Sequence, residues 1–206
     1  MTEEEMFKHL YRHIYNSYAV AGIMGNLKAE SGLIAHRKQG DFDSDYIPSA
    51  LYTDKVDSGA ITENEFCYDS IGYGLAQWTF WSRKQALLQY AKDRGKSVGD
   101  CETQLDFLVQ EMSSEFPSVW STMLNAKSVR EASDSVLLNY EKPANASAQC
   151  EYRAGLGEEI YTRCALQSEA EEFPEETADE IVKDIVELVE RLRSLVARGS
   201  LLVARD

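Results

Sequence analysis

Residues 18–32 read Tyr-Ala-Val-Ala-Gly-Ile-Met-Gly-Asn-Leu-Lys-Ala-Glu-Ser-Gly, the most informative segment of the chain. The spacing of Ile23 and Leu27 predicts a helix over most of it, which Gly32 terminates. Glu30 continues the same stripe, so we expect its carboxyl group to face the protein interior. Partial burial and the negative end of the helix dipole both favour the neutral carboxyl group, which a general acid requires.

Helical periodicity also dominates the rest of the chain up to about residue 166. The predicted helices cover about 3–15, 18–30, 80–94, 102–112, a segment that begins at Pro117, 129–140 and 146–166. Ser128 and Glu131 form a capping-box pattern before one of them. Residues 33–78 break the periodicity and predict a long loop or a small β-hairpin. We therefore predict a mainly α fold, a helical globule with one irregular or β excursion.

The composition excludes several classes of protein. The 206 residues include 35 acids and 21 bases, a net charge of −14, so bulk attraction to nucleic acid or to an anionic membrane is not expected. No apolar run approaches the roughly 18 residues of a membrane-spanning helix. The acidic residues 3–5 lie where a secretory signal would be basic and then apolar. We expect no signal peptide, no membrane insertion and synthesis in the cytosol.

The cysteines and histidines predict neither a disulfide framework nor a metal centre. The four cysteines contain no CxxC pair, and their spacing selects no disulfide connectivity, so reduced thiols are favoured. His9 and His13 lie four apart on the first predicted helix, but Leu10 follows His9, so the HExxH pattern of metalloproteases is absent. His36 is the remaining histidine. We expect no metal and no cofactor.

Two later segments carry groups that are typical of a sugar-binding cleft. Residues 72–79, Gly-Tyr-Gly-Leu-Ala-Gln-Trp-Thr, combine glycines that allow close backbone approach with the amide of Gln77 and the stacking face of Trp78. Residues 139–143, Asn-Tyr-Glu-Lys-Pro, close a predicted helix from which the hydroxyl group of Tyr140 can reach a polar cleft.

Three segments together resemble the phage tail-type lysozyme domain of phage lysins and tail-associated wall hydrolases. They are residues 21–32, 72–79 and 139–143, which we call the first, second and third motifs. Its broader relatives are goose-type lysozymes and soluble lytic transglycosylases, which share a Glu-Ser pair, a Gly-Leu-x-Gln segment and a later Tyr-Asn-like segment. The resemblance covers about residues 1–165. It implies a hydrolase of the peptidoglycan glycan strand, of the muramidase type found in endolysins, that cleaves β-1,4 glycosidic bonds.

The resemblance also implies the catalytic residues. Glu30 would be the general acid that protonates the glycosidic oxygen. Goose-type enzymes carry one aspartate before the Gly-Leu-x-Gln segment and another after it; here Asp69 fits the first place and Thr79 occupies the second. Asp69 is therefore the candidate that positions the attacking water. The less favoured substitutes are Asp41, Asp43 and Asp45.

Substrate binding follows from the same resemblance. Ser31 would orient Glu30 or the substrate, and Gln77 and Tyr140 would hold the sugar near the scissile bond. Tyr73 and Trp78 are the further candidates for contact with the sugar.

Other functions remain open at this point. A lytic transglycosylase or a glucosaminidase would act on the same strand, and a non-catalytic peptidoglycan-binding or structural phage module would keep the fold without turnover. A phage enzyme made in the host cytosol would reach the cell wall through a holin pore or on a virion tail.

The sequence changes character after the predicted globule of residues 1–166. Residues 167–180 form an acidic linker, and residues 181–206 contain an amphipathic helix. Between 181 and 196 this helix carries a short heptad-like seam: Ile181, Ile185, Leu188, Leu192 and Leu195. The seam could dock on the globule, form a homo-oligomer or bind a partner helix, or lead into a further domain.

Overall fold

The computed structural model describes residues 1–40, 48–143 and 145–165, together with Val186 and Val189. The chain divides into two units, residues 1–165 and 166–206. Both valines of the second unit are helical and exposed. The rest of the predicted linker and of the predicted C-terminal helix lies outside the described residues.

The described part of the first unit contains nine α-helices, and the prediction of a mainly α fold is confirmed. They are α1 (Glu3–Ile14), α2 (Ser17–Ser31), α3 (Ser49–Asp57), α4 (Glu63–Tyr68), α5 (Trp81–Asp93), α6 (Cys101–Glu115), α7 (Pro117–Asn125), α8 (Val129–Val136) and α9 (Ala146–Ile160). The π-helical turns Leu137–Glu141 and Tyr161–Ala165 continue α8 and α9. In this described region none of the helices is long and apolar enough to cross a membrane.

The excursion between α2 and α5 is more helical than the sequence predicts. It contains α3 and α4, of nine and six residues, which are too short for a periodic pattern to reveal. The Thr62 side chain accepts a hydrogen bond from the backbone N–H of Glu65, whose carboxylate accepts one from the N–H of Thr62, a capping box that begins α4. In the described part of the excursion, β pairing is limited to isolated bridges from Tyr73 to Lys38 and to Trp78.

The central helix of the fold is α2, which is buried along nearly its whole length. A Cβ atom on Gly25 would lie 2.6 Å from the carbonyl oxygen of Arg153 and 2.7 Å from the amide nitrogen of Gly157. The backbones of α2 and α9 therefore approach more closely than side chains would allow. This close approach sets the end of α2 against the part of α9 that contains Arg153.

The end of α2 is fixed by Gly32, as the sequence predicts. Gly32 has φ of 66°, a left-handed conformation that favours glycine, and its N–H donates to the carbonyl oxygen of Lys28. The chain therefore leaves the helix directly after Glu30 and Ser31.

Candidate active site

A cleft of about 350 Å³ opens at the C-terminal end of α2. The residues that line it are Glu30, Ser31, Gly32, Arg37, Lys38, Gln39, Gly40 and Gln77. The structure thus brings the Glu-Ser pair of the first motif together with the glutamine of the second. The alternative acids Asp41, Asp43 and Asp45 follow Gly40 in the chain and lie outside the described residues.

Glu30 is half-buried at the cleft, with 20% of its side chain exposed, and Arg153 binds it. Nη2 of Arg153 lies 2.6 Å from Oε1 of Glu30, and the Arg153 side chain is only 5% exposed. This charge-assisted contact holds the carboxylate from the protein side. The sequence could not reveal this partner, because Arg153 comes from α9.

The position of Arg153 is itself fixed by buried hydrogen bonds. Its guanidinium group donates to Gln149 Oε1 at 2.9 and 2.7 Å and to Asn26 Oδ1 at 3.3 Å. Asn26, which is fully buried in α2, donates to the carbonyl oxygen of Ser133 in α8 at 3.2 Å. One polar network thus joins α2, α8 and α9.

Glu141 is an acidic residue near Glu30 that the sequence reasoning missed. It ends the π-helical turn after α8; its side chain is half-buried, and its Oε1 is buried with no hydrogen-bond partner in the described structure. Burial raises the pKa of Glu141 to about 8, the negative charge of Glu30 adds to this rise, and the charges of Arg83 and Arg153 act against it. Its position in the third motif could have marked Glu141 as a candidate. Helical periodicity could not show which way its side chain faces, because the motif forms a π-helical turn.

The two glutamates therefore interact electrostatically at the site. With Glu141 protonated at neutral pH, a negative charge on Glu30 is balanced by Arg153. A second negative charge, on Glu141, would be opposed by the charge of Glu30.

Asp69 does not line this cleft. Its Oδ1 accepts hydrogen bonds from Nζ of Lys84 at 2.5 Å and from the N–H of Ile71 at 2.9 Å, and its Oδ2 accepts one from the hydroxyl group of Tyr52. The Lys84 side chain is fully buried. These contacts join α3, α4 and α5, and they give no support to a role for Asp69 in positioning water.

The polar groups of Ser31 and Gln77 are bound within the protein. The hydroxyl group of Ser31 donates to the carbonyl oxygen of Leu27 at 3.0 Å, within α2. The side-chain nitrogen of Gln77, Nε2, donates to the carbonyl oxygens of Arg37 at 3.1 Å and Gly74 at 2.9 Å. Gln77 thereby holds the two loops of the cleft together.

The aromatic candidates Tyr73, Trp78 and Tyr140 lie in the core, each at most 2% exposed. Trp78 donates from Nε1 to Glu111 at 3.1 Å, and the hydroxyl group of Tyr140 donates to the same carboxylate oxygen. The hydroxyl group of Tyr73 lies 2.6 Å from that of Thr53. None of the three offers a surface on which a sugar could stack in this conformation.

Glu111 joins the second motif to the third, and the sequence reasoning missed it. This residue of α6 is 6% exposed and forms a bidentate ion pair with Arg83, at 2.6 Å to Nε and 2.8 Å to Nη2. With Trp78 and Tyr140 bound to the same carboxylate, the ion pair fixes the core on which the cleft is built.

Comparison with known proteins agrees with the motifs that meet at the cleft. The profile of the phage tail lysozyme family matches residues 1–163, which include the end of α2, Gln77 and Glu141. A comparison with curated proteins gave no match. Since the family profile covers most of the chain, the chain belongs to the phage tail lysozyme family and carries a lysozyme-like domain that acts on peptidoglycan.

Proposed function

We propose that this domain is a glycosidase that cleaves β-1,4 bonds of the peptidoglycan glycan strand, with Glu30 as the general acid. The observation that carries the proposal is the position of Glu30. Its carboxylate lines an open cleft beside Gln77, while a buried arginine fixes it from the protein side. A glycosidic oxygen that enters the cleft would therefore meet a carboxyl group whose orientation is already set.

Glu141 supports the acid chemistry in this proposal. A general acid must hold a proton at the working pH. Because the pKa of Glu141 is raised to about 8, Glu141 holds a proton at neutral pH. We propose that this proton reaches Glu30 when a sugar fills the cleft.

Hydrolysis and transglycosylation differ in the second step of the reaction. A muramidase or a glucosaminidase needs a group that activates water or traps the sugar, and Asp69 is bound elsewhere. A lytic transglycosylase needs only the glutamate, because a hydroxyl group of the substrate closes an anhydro ring. The contacts of Asp69 therefore favour transglycosylation as the second candidate, beside hydrolysis of the muramidase type.

The test is digestion of purified peptidoglycan by the wild type, Glu30→Gln and Glu158→Gln, with mass spectrometry of the soluble fragments. Glu158 is an exposed glutamate of α9, so it controls for the loss of one negative charge. We expect the wild type and Glu158→Gln to release equal amounts and Glu30→Gln to retain about 1% or less. Reducing muramic acid, reducing glucosamine or an anhydro end would identify the reaction.

Circular dichroism and thermal unfolding would confirm that Glu30→Gln is folded. Release by folded Glu30→Gln above about 10% of the wild-type amount would contradict the role of Glu30. No release by the wild type would favour the non-catalytic binding module.

A further inference from the structure

Three side chains that can bind a metal ion meet between α1 and α6. His9 and His13 of α1 and Asp106 of α6 bring one ligand atom each within 4.8 Å of the others. Nε2 of His9 lies 2.7 Å from Oδ1 of Asp106, and Nε2 of His13 lies 3.5 Å from the same oxygen. We call these residues the His–His–Asp cluster. None of them lines the cleft at Glu30.

The helices fix the geometry of the cluster. Residues four apart lie on one face of a helix, so the two imidazole rings are neighbours along α1, with centroids 5.3 Å apart and planes tilted by 52°. The buried side chains Leu10 and Ile14 hold that part of α1 in the core. The ligand atoms therefore belong to two packed helices and not to loops, which limits the rearrangement that binding an ion requires.

We propose that the His–His–Asp cluster binds a divalent transition metal ion, with Zn²⁺ the best match, and that water supplies the fourth ligand. Two imidazoles and one carboxylate form a donor set typical of zinc, whereas Mg²⁺ and Ca²⁺ select oxygen ligands. Zinc bonds of 2.0–2.2 Å in a tetrahedron place ligand atoms roughly 3.3 Å apart. The two distances to Asp106, 2.7 and 3.5 Å, lie on either side of this value, and all three ligand atoms lie within 4.8 Å of one another, so side-chain rotations would bring them to the ion.

The exposure of the cluster agrees with this arrangement. The His9 side chain is 9% exposed, whereas those of His13 and Asp106 are 43% and 31% exposed. An ion can therefore enter from the side of His13, and the open coordination position faces solvent.

A second observation comes from Glu102, one helical turn before Asp106. Its Oε1 lies 3.9 Å from Nδ1 of His9, on the side of the ring opposite to the proposed ion. Histidines that bind metals commonly donate their second ring N–H to a carboxylate, which orients the ring. The Glu102 side chain is 65% exposed, so a rotation of its carboxylate can complete this hydrogen bond.

The proposed ion is structural. It would join α1 to α6 in the folded state, so its binding free energy would stabilise the native protein relative to the unfolded chain. The inference is independent of the proposed glycosidase, because the cluster and the cleft share no residue.

The test is titration of the metal-free full chain with Zn²⁺, followed by isothermal calorimetry and by thermal unfolding. We expect one ion per chain and a rise in Tm of about 5 °C or more at a hundredfold excess over Kd. Mg²⁺ at the same concentration should leave Tm unchanged, because the site offers too few oxygen ligands.

Variants identify the ligands. His13→Ala removes an exposed side chain and should weaken Zn²⁺ binding at least tenfold and abolish the rise in Tm. Asp106→Asn should do the same with nearly unchanged shape. His36→Ala, which removes an exposed histidine outside the cluster, should bind as the wild type does. Absence of binding, binding only at millimolar Zn²⁺, or equal binding by His13→Ala and His36→Ala would overturn the proposal.

Discussion

Glu30 and Asp69 are both partly buried carboxylates next to a buried cation, and their surroundings differ. Asp69 accepts hydrogen bonds at both oxygens, from Lys84, Ile71 and Tyr52, and these contacts join three helices. Glu30 is bound by Arg153 at Oε1 and lines an open cleft. A carboxylate whose two oxygens both accept hydrogen bonds within the protein stabilises the fold. One that is bound on one side and faces an open cleft on the other can exchange a proton with a ligand.

The largest effect on stability is expected when Asp69 is changed. Asp69→Asn removes the charge that compensates the fully buried Lys84, and should lower the free energy of unfolding by about 3 kcal/mol. Glycan cleavage, measured at a temperature where the variant is folded, should stay within about threefold of the wild type. Denaturant unfolding with a cleavage assay at low temperature measures both.

Glu63→Gln is the matched control, because Glu63 pairs with Lys92 through side chains that are 59% and 45% exposed. That change should cost at most about 0.5 kcal/mol. Equal stability of Asp69→Asn and Glu63→Gln would show that the pair of Asp69 and Lys84 is not a structural contact.

The next effect concerns the pH dependence of the site around Glu30. In the unfolded chain Glu141 ionises near its ordinary pKa of 4.5, whereas in the folded protein the pKa is about 8. The folded state therefore binds more protons between these values, and the free energy of unfolding falls as pH rises from 4.5 to 8 and levels off above. Glu141→Gln should remove most of this fall, which amounts to several kcal/mol.

Denaturant unfolding at several pH values tests this, with Glu158→Gln keeping the slope of the wild type. The cleavage assay adds a second readout, because Glu141→Gln should move the alkaline limb of activity, near pH 8 in the wild type, to lower pH. A slope of stability against pH that is the same in both variants would contradict the role of Glu141.

A smaller effect is expected at the helix contact that supports Glu30. Gly25→Ala would bring its Cβ against the backbone of α9, which cannot move aside as a side chain can. It should cost about 2 kcal/mol in unfolding free energy and lower cleavage, since α9 carries Arg153. Gly155→Ala in α9, where a Cβ meets nothing within 4 Å, should be neutral or stabilising. Equal stability of the two variants would contradict the close packing of α2 on α9.

The helices were largely predictable from the sequence, because the residues that begin and end a helix lie within or next to it in the chain. Gly32 ends α2, Pro117 begins α7, and Ser128 caps α8 by accepting from the N–H of Glu131. In place of a reciprocal capping box, the carboxylate of Glu131 accepts from the N–H of Lys127. The helices α3 and α4 were missed because each is shorter than three helical turns.

The site was predictable only where a motif carried it. The Glu-Ser pair and Gln77 do meet at one cleft. The charged partners of Glu30 and Asp69, which are Arg153 and Lys84, lie on other helices, and periodicity cannot pair them. Trp78 and Tyr140 were expected to contact a sugar, but both are buried in the core, where each donates a hydrogen bond to the carboxylate of Glu111. Residue type alone does not distinguish a ligand-binding ring from a core ring with a polar partner.

The most direct measurement compares Glu30→Gln with Asp69→Asn in two assays, release of glycan fragments and free energy of unfolding. We expect Glu30→Gln to lose at least about 99% of cleavage. We expect it to lose less stability than Asp69→Asn, because Arg153 keeps its hydrogen bonds to Gln149 and Asn26. We expect Asp69→Asn to show the reverse, a loss of stability with cleavage largely retained. Cleavage that survives in Glu30→Gln and disappears in folded Asp69→Asn would contradict the assignment of Glu30 to the chemistry and of Asp69 to the fold.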